Sequence, residues 1–99
     1  MSRIEFAPEI GGDLDRIIEH LQQHDSVDAD ARIGQIVKAI DALEHNPLIG
    51  RPVDHYKREL IVGRDSRGYV VLYSYAATID TVFVLAVRSQ REAGYAADA

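Results

Sequence analysis

The chain has no cysteine and no tryptophan, one methionine and three prolines among its 99 residues. Without cysteine there is no disulfide framework and no thiolate metal site, which suits a reducing compartment and makes a cytoplasmic location the expectation. Long apolar runs are also missing. The longest lie around Tyr69–Ala77 and Thr81–Val87, far short of the roughly 20 residues a membrane helix needs. The N-terminus meets an acidic residue at Glu5 and has no apolar h-region, so no signal peptide and no membrane association are expected. A basic excess is absent as well: 11 Lys and Arg face 16 Asp and Glu, for a net charge of −5. The imbalance sits in one half. Residues 1–50 carry four basic and ten acidic side chains, a net of −6, whereas residues 51–99 carry seven and six, a net of +1. Proteins that coat nucleic acid show a clear basic excess. Here the expectation is a local cationic patch on an acidic body, with no direct DNA binding by this chain.

What is present is a pattern of elements. At 99 residues and 46% hydrophobic content, one domain spanning 1–99 with a real core is expected. Ser2–Phe6 alternates as a strand does, Ile4 and Phe6 to one side and Arg3 and Glu5 to the other. Pro8 suits a first helical turn. Ile10, Leu14, Ile17, Ile18 and Leu21 then follow at helical spacing. Gly11 and Gly12 weaken that helix start, and Asp25–Asp28 breaks the pattern. A second helix carries Ile33, Ile36, Val37, Ile40 and Leu43, with Asp28 or Asp30 as its cap, and His45-Asn46-Pro47 ends it. Leu48–Lys57 reads as irregular. Three strands follow, Glu59–Gly63, Tyr69–Ala76 and Thr81–Arg88, rich in Val and Tyr. Their short connections favour an antiparallel meander. The predicted fold is α+β: an N-terminal strand, then a helical hairpin packed on a small antiparallel sheet, with a small polar tail over about 89–99 expected to be mobile. Both long strands are apolar at nearly every position. A helical hairpin covers only one face of such a sheet, which predicts that a partner covers part of the other.

The side chains that could carry chemistry are mainly cations. Arg64 and Arg67 lie in the turn between strands, Arg88 ends the last strand, and Arg91 and Tyr95 follow it. Solvated loop charges are the ordinary alternative for Arg64 and Arg67. An arginine ending a buried-looking strand is less casual. Arg58 and Glu59 are consecutive in a strand and face opposite sides, so one of them is expected to meet a charge across the sheet instead. Tyr69, Tyr73 and Tyr75 read as packing residues. His20 and His24 have the i, i+4 spacing of a zinc pair, yet nothing supplies a third ligand, so no metal is expected. The acidic residues of the first helix read as a solvated face. Gly11-Gly12 fits no phosphate loop, and no cofactor is expected.

Several phrases together resemble one family. Ala42 to Pro52, with Leu43, Pro47 and Gly50-Arg51-Pro52, resembles a helix end of the form Leu-x-x-x-Pro followed by Gly-Arg-Pro. Arg58-Glu59-Leu60, Tyr69-Val70-Val71-Leu72-Tyr73 and Val84-Leu85-Ala86-Val87-Arg88 resemble successive strands in the same order. The chain thereby resembles the RelE/ParE toxins of type II toxin–antitoxin modules. The resemblance implies that fold, a cognate antitoxin docked as a helix or strand in an apolar groove, and a hetero-oligomer formed with it. Autoregulation would fall to the antitoxin's DNA-binding part.

Two chemistries share that fold. RelE-like members cut messenger RNA on the ribosome and need cations at the scissile phosphate with an acid and a base. In that reading the catalytic set is Lys57, Arg58, Arg88, Arg91 and Tyr95. Val70 stands after Gly68-Tyr69 where the ribonucleases have an arginine, and the second strand lacks their denser lysine pattern. ParE-like members inhibit DNA gyrase by protein–protein contact and need no catalytic residue. In that reading Arg58, Arg64, Arg67, Arg88, Arg91 and Tyr95 form the target-binding surface, and the Gly-Arg-Pro and Arg-Glu-Leu phrases lean this way. A binding module that keeps the antitoxin but has lost toxicity is the third reading.

Overall fold

A computed structural model of the chain describes residues 1–24, 29–63 and 68–90. The elements run β1 (Arg3–Phe6), α1 (Ile10–His24), α2 (Ala29–Ala42), β2 (Arg51–Pro52), β3 (Lys57–Val62), β4 (Tyr69–Ala76) and β5 (Thr81–Ser89). All five strands form one sheet in the order β1-β5-β4-β3-β2. The meander β3-β4-β5 is antiparallel, and β1 joins it parallel to β5. The expected α+β architecture therefore stands, with a mixed sheet whose edges are β1 on one side and the two-residue β2 on the other.

The helices cover one face of that sheet because their apolar residues recur at helical spacing. Ile10, Ile17 and Leu21 of α1 and Ile36 and Ile40 of α2 are buried, as is Leu43 just past the end of α2. They share one core cluster with Val71, Tyr73, Val82, Val84 and Val87, each fully buried on the inner face of β4 and β5. Burying each such aliphatic side chain contributes about 1.5–3 kcal/mol. Val37 departs from the expected stripe and is half exposed. The stripe that packs is Ile33, Ile36, Ile40 and Leu43, and Val37 falls on its flank.

Differences from the sequence reading cluster at element ends. Within Leu48–Lys57, expected to be irregular, Arg51 and Pro52 pair with Glu59 and Arg58 as the edge strand β2. That pairing draws β3 back to Lys57, while β5 runs on to Ser89 and the Gln90 N–H donates to the Gly68 carbonyl at 3.0 Å. Leu72 stands opposite Ala86 but Tyr73 opposite Val84, so Leu85 is an extra residue that bulges β5. The β4–β5 turn closes at Asp80, whose φ of 47° is a left-handed conformation that Asp tolerates. The break at 25–28 and the connection at 64–67 lie outside the described residues, as does the tail from 91 onward. Among the described residues, no helix is long and apolar enough to cross a membrane.

Candidate functional site

The Gly-Arg-Pro phrase turns out to be a latch. A Cβ on Gly50 would stand 2.7 Å from both the Glu59 carbonyl and the Tyr73 ring, so only glycine fits there. Its N–H donates to the buried Tyr73 hydroxyl at 2.8 Å. Arg58 Nη1 donates to the carbonyls of Gly50 at 2.8 Å and Leu48 at 3.2 Å. Beside it, Arg51 Nη2 pairs with Glu59 Oε1 at 3.0 Å across the β2–β3 ladder, the cross-strand pairing expected of one member of Arg58-Glu59. Burial raises the Tyr73 pKa above its ordinary value, opposed by the Gly50 bond and the nearby Arg58 charge. The site is a structural clamp on the chain leaving α2.

Around this clamp the described cations do not converge. Arg58 stands opposite Tyr73, on the inner side, with its guanidinium on loop carbonyls. Lys57 stands opposite Ser74 and Arg88 opposite Val70, and both face the outer side by strand alternation. They lie two strands and four residues of β4 apart, roughly 16 Å between backbones at ordinary sheet spacings. Leu72 lies between them, flanked on β3 by Glu59 and on β5 by Ala86. The Lys57 ammonium lies 5.8 Å from the Tyr56 ring centroid at the β2–β3 hairpin. Arg88 is exposed. Arg64, Arg67, Arg91 and Tyr95, all expected at the site, lie outside the described residues.

The outer face is apolar where it is most recessed. Leu72, Phe83 and Leu85 are half-buried on it, while Phe6 and Ile79 beside them are more than half exposed. A cavity of about 400 Å³ opens there, lined by Phe6, Pro8, Ile79, Phe83 and Leu85, with Arg3 and Glu5 on its wall. A second exposed group, Leu48, Ile49, Val53 and Tyr56, surrounds the latch and the β2–β3 hairpin.

Two polar ties escaped the sequence reading. Asp13, read as part of a solvated face, is 7% exposed. Its Oδ2 accepts the Val87 N–H at 3.0 Å, on a stretch of β5 that β1 does not reach, and Arg16 approaches Oδ1 at 3.5 Å. The available signal was its position: Asp13 falls on the stripe of Ile10, Leu14 and Ile17 rather than opposite it. Asp80 Oδ1 accepts hydrogen bonds from the Ser2 and Tyr75 hydroxyls, both at 2.6 Å. The Ser2 bond, then that of Tyr75, holds the Asp80 carboxyl below its ordinary pKa, and the Tyr75 phenol is raised chiefly by its bond to Asp80. His20 is exposed, and the His24 side chain is not among those described. Among the described residues, no group of three or more His, Cys, Asp or Glu could hold a metal ion.

Residues 4–94 match the ParE toxin of type II toxin–antitoxin system, parDE. No curated protein sequence matches. Among solved structures, a chain of a chromosomal ParDE toxin–antitoxin system from P. aeruginosa superposes with a TM-score of 0.73 at 19% identity, over 90% of this chain and 96% of that one. A chain of the RelBE2 toxin–antitoxin complex from Mycobacterium tuberculosis gives 0.55 at 19% identity, over 89% and 96%. A metal-bound toxin from Helicobacter pylori gives 0.53 at 14% identity, over 93% and 98%. At these identities the superpositions speak to fold.

Proposed function

The chain belongs to the ParE toxin family of type II toxin–antitoxin systems, and from that premise we propose that it inhibits DNA gyrase by protein–protein contact. The observation that carries this reading is the make-up of the outer sheet face. A ribonuclease would need cations converging there on one phosphate. Instead Leu72 occupies the centre beside the Glu59 carboxylate, Lys57 and Arg88 stand roughly 16 Å apart, and Arg58 holds the loop. A contact mechanism asks only for a displayed surface, and exposed Arg88 at the end of β5 belongs to it, with Arg64, Arg67, Arg91 and Tyr95 as further members.

A cognate antitoxin holds the toxin inactive by laying an apolar segment over the outer face, one side chain seated between Phe83 and Leu85. The exposed apolar rim of that cavity supports this placement, because an aqueous face of half-buried aromatic and aliphatic residues gains most from being covered. The functional unit is the single domain 1–99, acting in the cytoplasm where gyrase works.

The test is a supercoiling assay with purified gyrase and purified toxin. The expected result is loss of supercoiling with accumulation of cleaved DNA, weakened about tenfold or more by Arg88→Ala, as for a central charged contact. Unchanged gyrase activity, together with messenger RNA cut by the toxin on ribosomes, would replace this reading with the ribonuclease one.

A further inference from the structure

The chain between α2 and β3 is more apolar at its surface than a connection needs to be. Every residue from Leu48 to Tyr56 except Gly50 is exposed, and Leu48, Ile49, Pro52, Val53 and Tyr56 are among them. Connecting segments at the surface are ordinarily polar, and a cluster of exposed apolar side chains marks a contact site. The stretch is also fixed. The Val53 N–H donates to the Lys57 carbonyl at 3.0 Å, and Asp54 Oδ1 accepts the N–H groups of Tyr56 and Lys57 at 3.1 Å each. At the other end Tyr73 and Arg58 hold Gly50 and Leu48. An apolar surface already held in one shape loses little further freedom when a partner covers it. Its charge differs from that of the rest. Residues 45–58 carry three basic side chains and one acidic, in a chain with 11 basic and 16 acidic, and that one carboxylate, Asp54, is turned onto the hairpin backbone.

We infer that the β2–β3 hairpin is a docking finger for an acidic and apolar segment of the protein this toxin inhibits. Val53 stands across the ladder from Lys57 and two residues from Arg51, so all three share the outer side. Tyr56, 68% exposed, lies with its ring beside the Lys57 ammonium. An apolar side chain of the partner covers Val53 and Tyr56, and a neighbouring carboxylate meets Lys57. Tyrosine is among the residues that contribute most to such contacts. Charge selects the partner. On an acidic body an acidic segment is repelled except where cations prevail locally, so the hairpin sets both where it docks and which way round. The antitoxin's cavity lies on β1 and β5, toward the opposite edge of the sheet, and the two edges are four strand spacings or roughly 19 Å apart. That leaves the hairpin to the target. Arg88 lies on the same outer side as Lys57, roughly 16 Å from it. This is too far for one phosphate and well within the footprint of one protein, about 800 Å² on each partner. The inference rests on the reading of a contact toxin, and not on gyrase being the protein contacted.

Purified gyrase and purified antitoxin, each titrated with the toxin and with Tyr56→Ser, Val53→Ser and Lys57→Glu, test this. Tyr56→Ser and Lys57→Glu should each raise the toxin concentration that half-inhibits supercoiling about tenfold or more, and Val53→Ser about threefold or more. Antitoxin affinity should not change. None of the three side chains is buried, and circular dichroism checks the fold of each variant. Growth arrest after induction, at matched toxin levels, is read in parallel. A parent chain that arrests growth but leaves gyrase untouched ends the gyrase reading, and the variants then decide the inference by their loss of toxicity. The inference is overturned if Tyr56→Ser and Val53→Ser inhibit and arrest as the parent does, or if the parent arrests nothing. Loss confined to Lys57→Glu would mark a grip on phosphate, and weaker antitoxin binding with toxicity intact would give the hairpin to the antitoxin; either result overturns it as well.

Discussion

Tyr73 is where a single atom has the largest consequence. Its ring closes the core under β4, and its hydroxyl is the acceptor for a buried backbone N–H. Tyr73→Phe keeps the packing and strands the Gly50 donor, so it should cost about 1–3 kcal/mol. For a domain this size that lowers the thermal midpoint by at least several degrees. Gly50→Ala should be at least as damaging, because the added methyl would collide with the Glu59 carbonyl and the Tyr73 ring rather than with a side chain that can swing away. Calorimetry on both variants checks the pair. Asp80 makes a different kind of prediction. Its carboxyl is held below the ordinary value by Ser2 and Tyr75, so its contribution to stability is complete above the unfolded carboxylate pKa of about 4 and is lost as the pH falls further. Asp80→Asn keeps an acceptor and tolerates the left-handed turn but no longer titrates. Thermal midpoints recorded from pH 6 to pH 2 should fall less steeply below about pH 4 in this variant than in the parent.

At the scale of elements, α1 carries two glycines, and a methyl group added at either would meet nothing within 4 Å. Nothing steric requires them, and Gly11→Ala and Gly12→Ala should each stabilise the helix by about 0.4–1 kcal/mol. Asp13 ties the same helix to β5. Asp13→Ala should cost about 1–3 kcal/mol by stranding the Val87 N–H, whereas Asp13→Asn retains an oxygen acceptor and should lose less; urea denaturation of the two variants separates bond from charge. The elements themselves were legible because their causes are local. Helical spacing of Ile and Leu, Val- and Tyr-rich strands, and Pro47 as a stop are written in runs of neighbouring residues, and β4 falls on Tyr69–Ala76 as the sequence indicated. What was not legible depends on partners far along the chain. β2 exists because Arg51 meets Glu59 and Gly50 meets Tyr73. Asp13 is buried because β5 offers an N–H where β1 has ended. Arg58 looked like a surface cation because a sequence does not show that two loop carbonyls stand above it.

For the whole molecule, two ways of being a toxin on one fold ask for different surfaces. The acidic body, the apolar outer face and the separation of Lys57 from Arg88 all favour contact with a protein over grip on a phosphate. On the placement proposed for the antitoxin, a charge introduced in the cavity on that face should release the partner. Phe83→Asp is expected to weaken antitoxin binding about a hundredfold, as for a buried aromatic anchor, measured by calorimetric titration, while leaving the inner core intact. Of the target-binding set named from the sequence, Arg58 has its guanidinium on the Gly50 and Leu48 carbonyls and Arg88 is exposed near the end of β5. The central claim, inhibition of gyrase, is tested most directly by pulse-labelling cells within minutes of inducing the toxin. Thymidine incorporation should stop first while methionine incorporation continues, with a DNA-damage response that Arg88→Ala blunts. Prompt arrest of methionine incorporation with DNA synthesis still running would contradict the claim.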